Sequence, residues 1–331
     1  MTQPRYDVVA IGNAIVDVLA HAEDAFLAEH GLEKGAMQLM EPSIAERLYS
    51  AMGPGMEVSG GSAANTLAGI AALGHRCAFI GQIRDDQLGA VFAHDIRAMG
   101  IDFDVPARSE EPPTGRCLIL VSPDGHRTMN TSLGAAHYLP REAAKPDLIA
   151  DASYLYLEGY MWDPPEPRQA ILLAIKAARA AGRKIALTLS VTFFIMRYRA
   201  DFLKLMDDGL IDILFCNGEE AACLLEMEDP EAASIALAAR VPTLVVTHGA
   251  DGASAFNHGA RVDVPAEPID KVVDTTGAGD LFAAGYLVGQ IRGLSAEQSL
   301  KLGAVCAAEI ISHVGARPMV DLKALVAEKL G

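Results

Sequence analysis

The chain has 331 residues, 51% of them hydrophobic, and a net charge of −16, which is core material enough for a large α/β unit with a smaller appendage. The negative charge is spread along the chain, which argues against nucleic acid and anionic membrane as partners and requires any phosphate site to be built locally from backbone. No apolar stretch approaches a membrane span, residues 1–7 lack the organisation of a signal peptide, the five cysteines form no CxxC pair and the nine histidines show no HxxxH spacing, so the expectation is a cytoplasmic protein with reduced thiols and no zinc site.

Short runs rich in Val, Ile and Leu predict strands over residues 8–11, 78–83, 154–157, 184–189, 211–215 and 243–247. Helical patterns over 63–73, 88–99, 167–181 and 219–225 lie between them. This alternation implies a doubly wound, mostly parallel sheet with helices on both faces. Two regions break it. Residues 14–40 and 101–131 read as short antiparallel strands over 15–20, 36–39, 116–121 and 127–131, the last pair joined by Ser122-Pro123-Asp124-Gly125, a hairpin signal. The expected division is a large α/β nucleotide-binding domain of residues 1–13, 41–100 and 132–331, with residues 14–40 and 101–131 forming a small β lid over the substrate site. Closure of such a lid would exclude water from phosphoryl transfer.

Four stretches carry chemistry. Asn13 and Asp17 follow the first strand, at the edge where parallel sheets collect ligands; Asp17 stands among Val16, Val18 and Leu19, where a carboxylate needs partners such as two vicinal sugar hydroxyls. The bland alternative is a solvated strand-end Asp. Gly60 and Gly61 let backbone approach a ligand closely, and Asn65 can reach hydroxyls from the first turn of the helix that follows, or else Ser62 simply caps that helix. Asn217 and Glu220, three apart at a helix start, could hold Mg²⁺ through water or form an ordinary capping box. The most informative stretch is Asp274-Thr275-Thr276-Gly277-Ala278-Gly279-Asp280, which leads into an apolar helix. Its glycines suit a cradle of N–H groups at a helix N-terminus, with the Gly277, Ala278 and Gly279 amides around a phosphate and Asp280 beside it as general base. A capped helix after a turn is the plain alternative.

No Gly-Lys dipeptide occurs, so a Walker A loop is absent; Gly277-x-Gly279 continues to Phe282 where a dinucleotide fingerprint has a third glycine. Taken in order, residues 60–65, 217–220, 247–249 and 274–280 resemble the motifs of the PfkB or ribokinase family of carbohydrate and nucleoside kinases. The resemblance covers nearly the whole chain. It implies a ribokinase-like doubly wound sheet with a small β lid, ATP as donor and Mg²⁺ as cofactor. Carried over by position, Asp280 matches the catalytic base, Gly277, Ala278 and Gly279 the anion hole, and Asn217 with Glu220 the magnesium and phosphate motif. Thr247 and Gly249 match the strand end beside the nucleotide, with Thr275 on the same side. Residues 311–318 align with the segment that borders adenine and a monovalent cation in many relatives, which places His313 by the nucleotide and Asp274 at a potassium site.

Within the family, residues 12–17, 113–117, 188–190 ahead of Phe193-Phe194, and 212–217 are most similar to the adenosine kinase branch, in which Asp17 would hold the ribose hydroxyls while Gly61, Ser62 and Asn65 line the same pocket. Leu39, Cys117, Leu133 and Phe193 are candidates for a purine slot. The expected reaction is transfer of the ATP γ-phosphate to the 5′-hydroxyl of adenosine. Ala63-Ala64 stand where polar residues are common in eukaryotic adenosine kinases, which leaves a sugar kinase (ribose, fructose or a sugar acid) as the alternative. A catalytically silent nucleotide-binding regulator is a third reading, opposed by the presence of Asp280. Expected partners are ATP and a small nucleoside or sugar, with the protein a monomer or a homodimer.

Overall fold

The computed structural model describes residues 4–331 and contains fourteen strands among them. In chain order they are β1 (Tyr6–Ile11), β2 (Ile15–His21), β3 (Met37–Leu39), β4 (Met56–Gly60), β5 (Cys77–Ile80), β6 (Ile101–Asp102), β7 (Gly115–Val121), β8 (Arg127–Ser132), β9 (Ala152–Glu158), β10 (Lys184–Thr188), β11 (Ile213–Asn217), β12 (Thr243–Thr247), β13 (Ala253–Asn257) and β14 (Ala260–Val264). Nine form one sheet in the order β14-β13-β12-β11-β10-β9-β1-β5-β6. Seven of these, β12 through β6 in that order, run parallel, and β13 and β14 close one edge as an antiparallel hairpin.

Helices cover both faces, which explains the unbroken apolar runs of the central strands. In β1, Val8 and Ala10 pack into one core with the helices Ser62–Ala72, Ala278–Ile291 and Ala296–Ile310, whereas Val9 and Ile11 face a second core against Pro165–Ala180 and Thr192–Asp207. Small residues bring the first group of helices together. A Cβ on Gly285 would come within 2.7 Å of the Gly303 backbone, and one on Gly69 would lie 2.8 Å from the Ala284 Cβ. This close approach aligns the N-termini of Ser62–Ala72 and Ala278–Ile291. No helix among the described residues is long and apolar enough to cross a membrane.

The remaining strands form the small sheet, in the order β3-β8-β7-β2-β4. It differs from the sequence expectation in three ways. First, β2 pairs with β7 and β3 with β8 in parallel, leaving β7–β8 and β2–β4 antiparallel. Turn chemistry reports only the consecutive β7–β8 hairpin; pairings between strands distant in sequence leave no local signal. Second, β4 belongs to this sheet although the sequence expectation places residues 41–100 in the large domain; Met-Glu-Val-Ser-Gly carries a single β-branched residue. Third, β6, inside the expected lid segment 101–131, pairs with β5 in the large sheet. Residues 1–3 of the expected large domain lie outside the described residues.

Candidate active site

Asp280 occupies the first turn of Ala278–Ile291 and faces the first turn of Ser62–Ala72. Its Oδ1 accepts a hydrogen bond from Ser62 Oγ at 2.6 Å and its Oδ2 one from Asn65 Nδ2 at 2.9 Å. Burial raises the carboxyl above its ordinary range, and these two donors pull it back. The preceding turn needs glycine at one position in particular: Gly277 has φ 79°, and a Cβ there would lie 2.9 Å from Ala316 Cβ. Gly279 is helical with open space where its side chain would be. The amides of Gly277, Gly279 and Asp280 find no acceptor among the described residues, whereas that of Ala278 donates to Thr275 O at 3.2 Å. Three N–H groups, of Gly277, Gly279 and Asp280, are thus left free at the helix start, while that of Ala278, one of the expected trio, is spent on closing the turn.

Across the cleft, Asp17 on β2 is 8% exposed, paired through its backbone in the sheet, and its carboxylate accepts no hydrogen bond from the described residues. Burial pushes its carboxyl up to about 7, opposed by the Arg317 guanidinium and reinforced by Asp280 and Asp274. Gly60 on β4 lies flat against that carboxylate, with which any Cβ would collide. At Gly61, φ is 92° and a Cβ would strike the Asn13 carbonyl. Asn13 is buried, and both its N–H and its Nδ2 donate to Glu158 Oε1, at 2.8 and 2.7 Å. Glu158, at the end of β9, also accepts from Ala63 N at 2.8 Å; burial pushes it to about 7. Sequence reasoning passed over Glu158 and Arg317. Glu158 closes an otherwise apolar strand, and that interruption was the available signal.

Most of these groups line a cavity of about 470 Å³ between the two sheets, with Gly60 and Arg317 outside its lining. Asn13, Asp17, Gly61, Ser62, Asn65, Glu158, Gly277, Ala278, Gly279 and Asp280 meet there with Asn217, Glu220, Thr247 and Thr275. Leu39, Cys117 and Leu133 also face it, but Phe193 does not: it is 52% exposed on the outer face of Thr192–Asp207, and its neighbour Phe194 points inward against Tyr160 at 5.9 Å between ring centres. Gly249 and His313 lie outside this cavity as well. His313 borders a neighbouring groove, paired with Glu309 at 3.0 Å.

Asn217 and Glu220 form a complete capping box at the start of Gly218–Leu225 and still face the cavity. Burial pushes Glu220 to about 7, and it has no ion-pair partner among the described residues. Asp274 is buried and fully engaged: Oδ1 accepts from Thr276 N at 3.0 Å, Oδ2 accepts from Gly315 N at 2.8 Å and pairs with Arg127 Nη1 of β8 at 2.5 Å. A guanidinium thus lies against the carboxylate that the sequence expectation assigns to a potassium site.

The arrangement has known counterparts. The sequence model described as pfkB family carbohydrate kinase matches residues 52–322. An adenosine kinase from Sinorhizobium meliloti superposes with a TM-score of 0.92 at 47% identity, covering 98% of this chain and 99% of the other. A probable sugar kinase from Rhizobium etli gives 0.93 at 44% identity, with the same two coverages. A 5-dehydro-2-deoxygluconokinase from Shouchella clausii is 26% identical over 338 residues, 98% of this chain and 97% of its own.

Proposed function

Since the chain belongs to the pfkB family of carbohydrate kinases, phosphotransferases acting on hydroxyl groups of nucleosides or sugars, we propose that it transfers the γ-phosphate of ATP to the 5′-hydroxyl of adenosine. The observation that carries this reading is a base and an anion cradle in one helical turn: Asp280 lies beside unpaired N–H groups in the cavity that Asp17 also lines. Asp280 takes the proton of the attacking hydroxyl, and Ser62 and Asn65 hold its carboxylate towards the cleft. The Gly277, Gly279 and Asp280 amides, at the positive end of Ala278–Ile291, hold the oxygens of the transferring phosphoryl group.

Asp17 receives the ribose hydroxyls. It reaches the cavity as a buried carboxylate without protein donors, a state that two hydroxyl donors relieve. Cys117, Leu133 and Phe194 supply apolar walls suited to a base. The likeness to the Sinorhizobium meliloti adenosine kinase points the same way. Glu220, a buried carboxylate lacking a cation, suits Mg²⁺ held through water and phosphate oxygens, with Asn217 beside it; the ion neutralises charge on the phosphates when bound. Arg127 already compensates Asp274, so the reaction requires no monovalent cation there.

One observation favours a sugar acceptor: Glu158, a further buried carboxylate in the same cavity beside Asp17 and Glu220, could take another hydroxyl. A panel of adenosine, guanosine, ribose, fructose and 2-keto-3-deoxygluconate with coupled ADP detection separates the two. Adenosine is expected to show the highest kcat/KM, and 2′-deoxyadenosine, lacking one of the two hydroxyls, to be distinctly poorer. Preference for a free sugar would reassign the acceptor while leaving Asp280 in its role.

A further inference from the structure

The segment around residues 314–319 follows Ala296–Ile310 and is tied to the site at several points. Gly315 N donates to Asp274, Ala316 packs on Gly277, and Met319 N donates to Glu309 Oε1 at 2.9 Å. Between them Arg317 sends its side chain inward. Nη1 donates to Asn65 Oδ1 and Nη2 to Ser59 Oγ at 3.2 Å. Arg317 does not line the cavity; it stands behind Asn65, whose amide faces Asp280 on its other side.

An amide has one accepting end and one donating end, and a guanidinium can only donate. With Arg317 in contact, Asn65 Oδ1 must face the guanidinium, so Nδ2 must face Asp280. Without it the amide can turn over and accept a hydrogen bond from a protonated Asp280, which favours the neutral acid. We propose that Arg317 is a positioning residue, which fixes the Asn65 amide and through it orients the Asp280 carboxylate for proton abstraction.

The electrostatics agree with this geometry. The charged groups around Asp280 are Asp17 from β2, Glu158 from β9 and Arg317, with Tyr156 of β9 and Tyr160 just beyond it also facing the carboxylate. Arg317 is the cation among them, and it favours the ionised form of both Asp280 and Asp17.

The inference rests on the reading of Asp280 as base, and its test must be separable from that reading. The titration of Asp280 is followed in the ligand-free protein by ¹³C carboxyl NMR, its signal assigned by its loss in Asp280→Asn, alongside thermal melting and the pH profile of kcat with ATP and adenosine. In Arg317→Met the Asp280 midpoint is expected to rise by about one pH unit. The acidic limb of kcat should move with it, and KM for ATP should stay near its original value. Arg317→Lys keeps the charge but loses the fork that grips both Asn65 and Ser59, so the midpoint should rise by a smaller amount. Should Arg317→Met fail to fold, the lysine variant alone decides. An Asp280 midpoint unmoved in the folded variants, with any loss of rate tracking lost stability, overturns the proposal and leaves Arg317 a packing residue. Full turnover in Asp280→Asn would instead sink the base assignment, and the NMR titration would still report on Arg317.

Discussion

In its proposed role as base, Asp280 would draw its reactivity from its neighbours: a carboxyl that burial disfavours as an anion keeps two donors aimed at it, so it can ionise and yet remain basic. Asp280→Asn should therefore retain the fold and most ATP binding while lowering kcat by at least about 10²-fold, the contribution typical of a positioned general base. Steady-state kinetics beside an ATP titration check this, and near-normal turnover would be incompatible with the role. This residue was legible in the sequence because the glycines and the acid are contiguous. So was Asp17, by its apolar neighbours. Arg317 and Glu158 were not, since each acts on residues far away in the chain: Arg317 reaches Asn65 across 252 positions and Glu158 reaches Asn13 across 145. The sequence points to Phe193 and the structure brings Phe194 to the cavity, since composition does not distinguish which of two adjacent aromatics a helix turns inward.

At the scale of elements, the parallel sheet was legible, apart from the two-residue β6, because its strands are apolar on both faces, whereas in the small sheet four strands and one hairpin were legible but β4 and the parallel pairings were not. Besides the shared core, one link from the small sheet to the large domain is the pair between Arg127 of β8 and Asp274 of the turn before Ala278–Ile291, with side chains 11% and 1% exposed. A buried acid with a guanidinium and two amides on it has little need of another cation. Exchange of K⁺ for choline at constant ionic strength should accordingly leave the initial rate unchanged, and K⁺ activation beyond about twofold would refute the assignment of Arg127 to that place. Arg127→Met should lower the melting temperature, because an uncompensated buried charge remains. The variant should also become responsive to K⁺, which a purely structural ion pair would not produce.

For the whole molecule, the cleft gathers negative charge that the fold alone does not offset. Asp17, Glu158 and Glu220 are all pushed to about 7, in each case chiefly by burial. In the unfolded chain these groups titrate near 4, so between about pH 4 and 7 the folded protein holds more protons than the unfolded one. Stability then falls as pH rises through that window and is fully retained only below it. The carboxyls held below their ordinary range, such as Asp124, Asp263 and Glu297, act in the opposite direction and at lower pH, but they are exposed and contribute little. The ligand-free protein should consequently melt several degrees higher near pH 5 than at pH 8. Its net charge of −16 adds self-repulsion of the same sign, and substitution separates the two causes. Asp17→Asn and Glu158→Gln each remove one buried ionisation but only one of the chain's many charges, so each should flatten the slope visibly, whereas Glu166→Gln, on an exposed helix start, should not. Thermal melts across pH 5–8 decide it: a melting temperature that is level or rising with pH would mean that the cleft carboxylates are ionised and solvated in the free protein, and that ligand hydroxyls and Mg²⁺ relieve no stored cost when they bind.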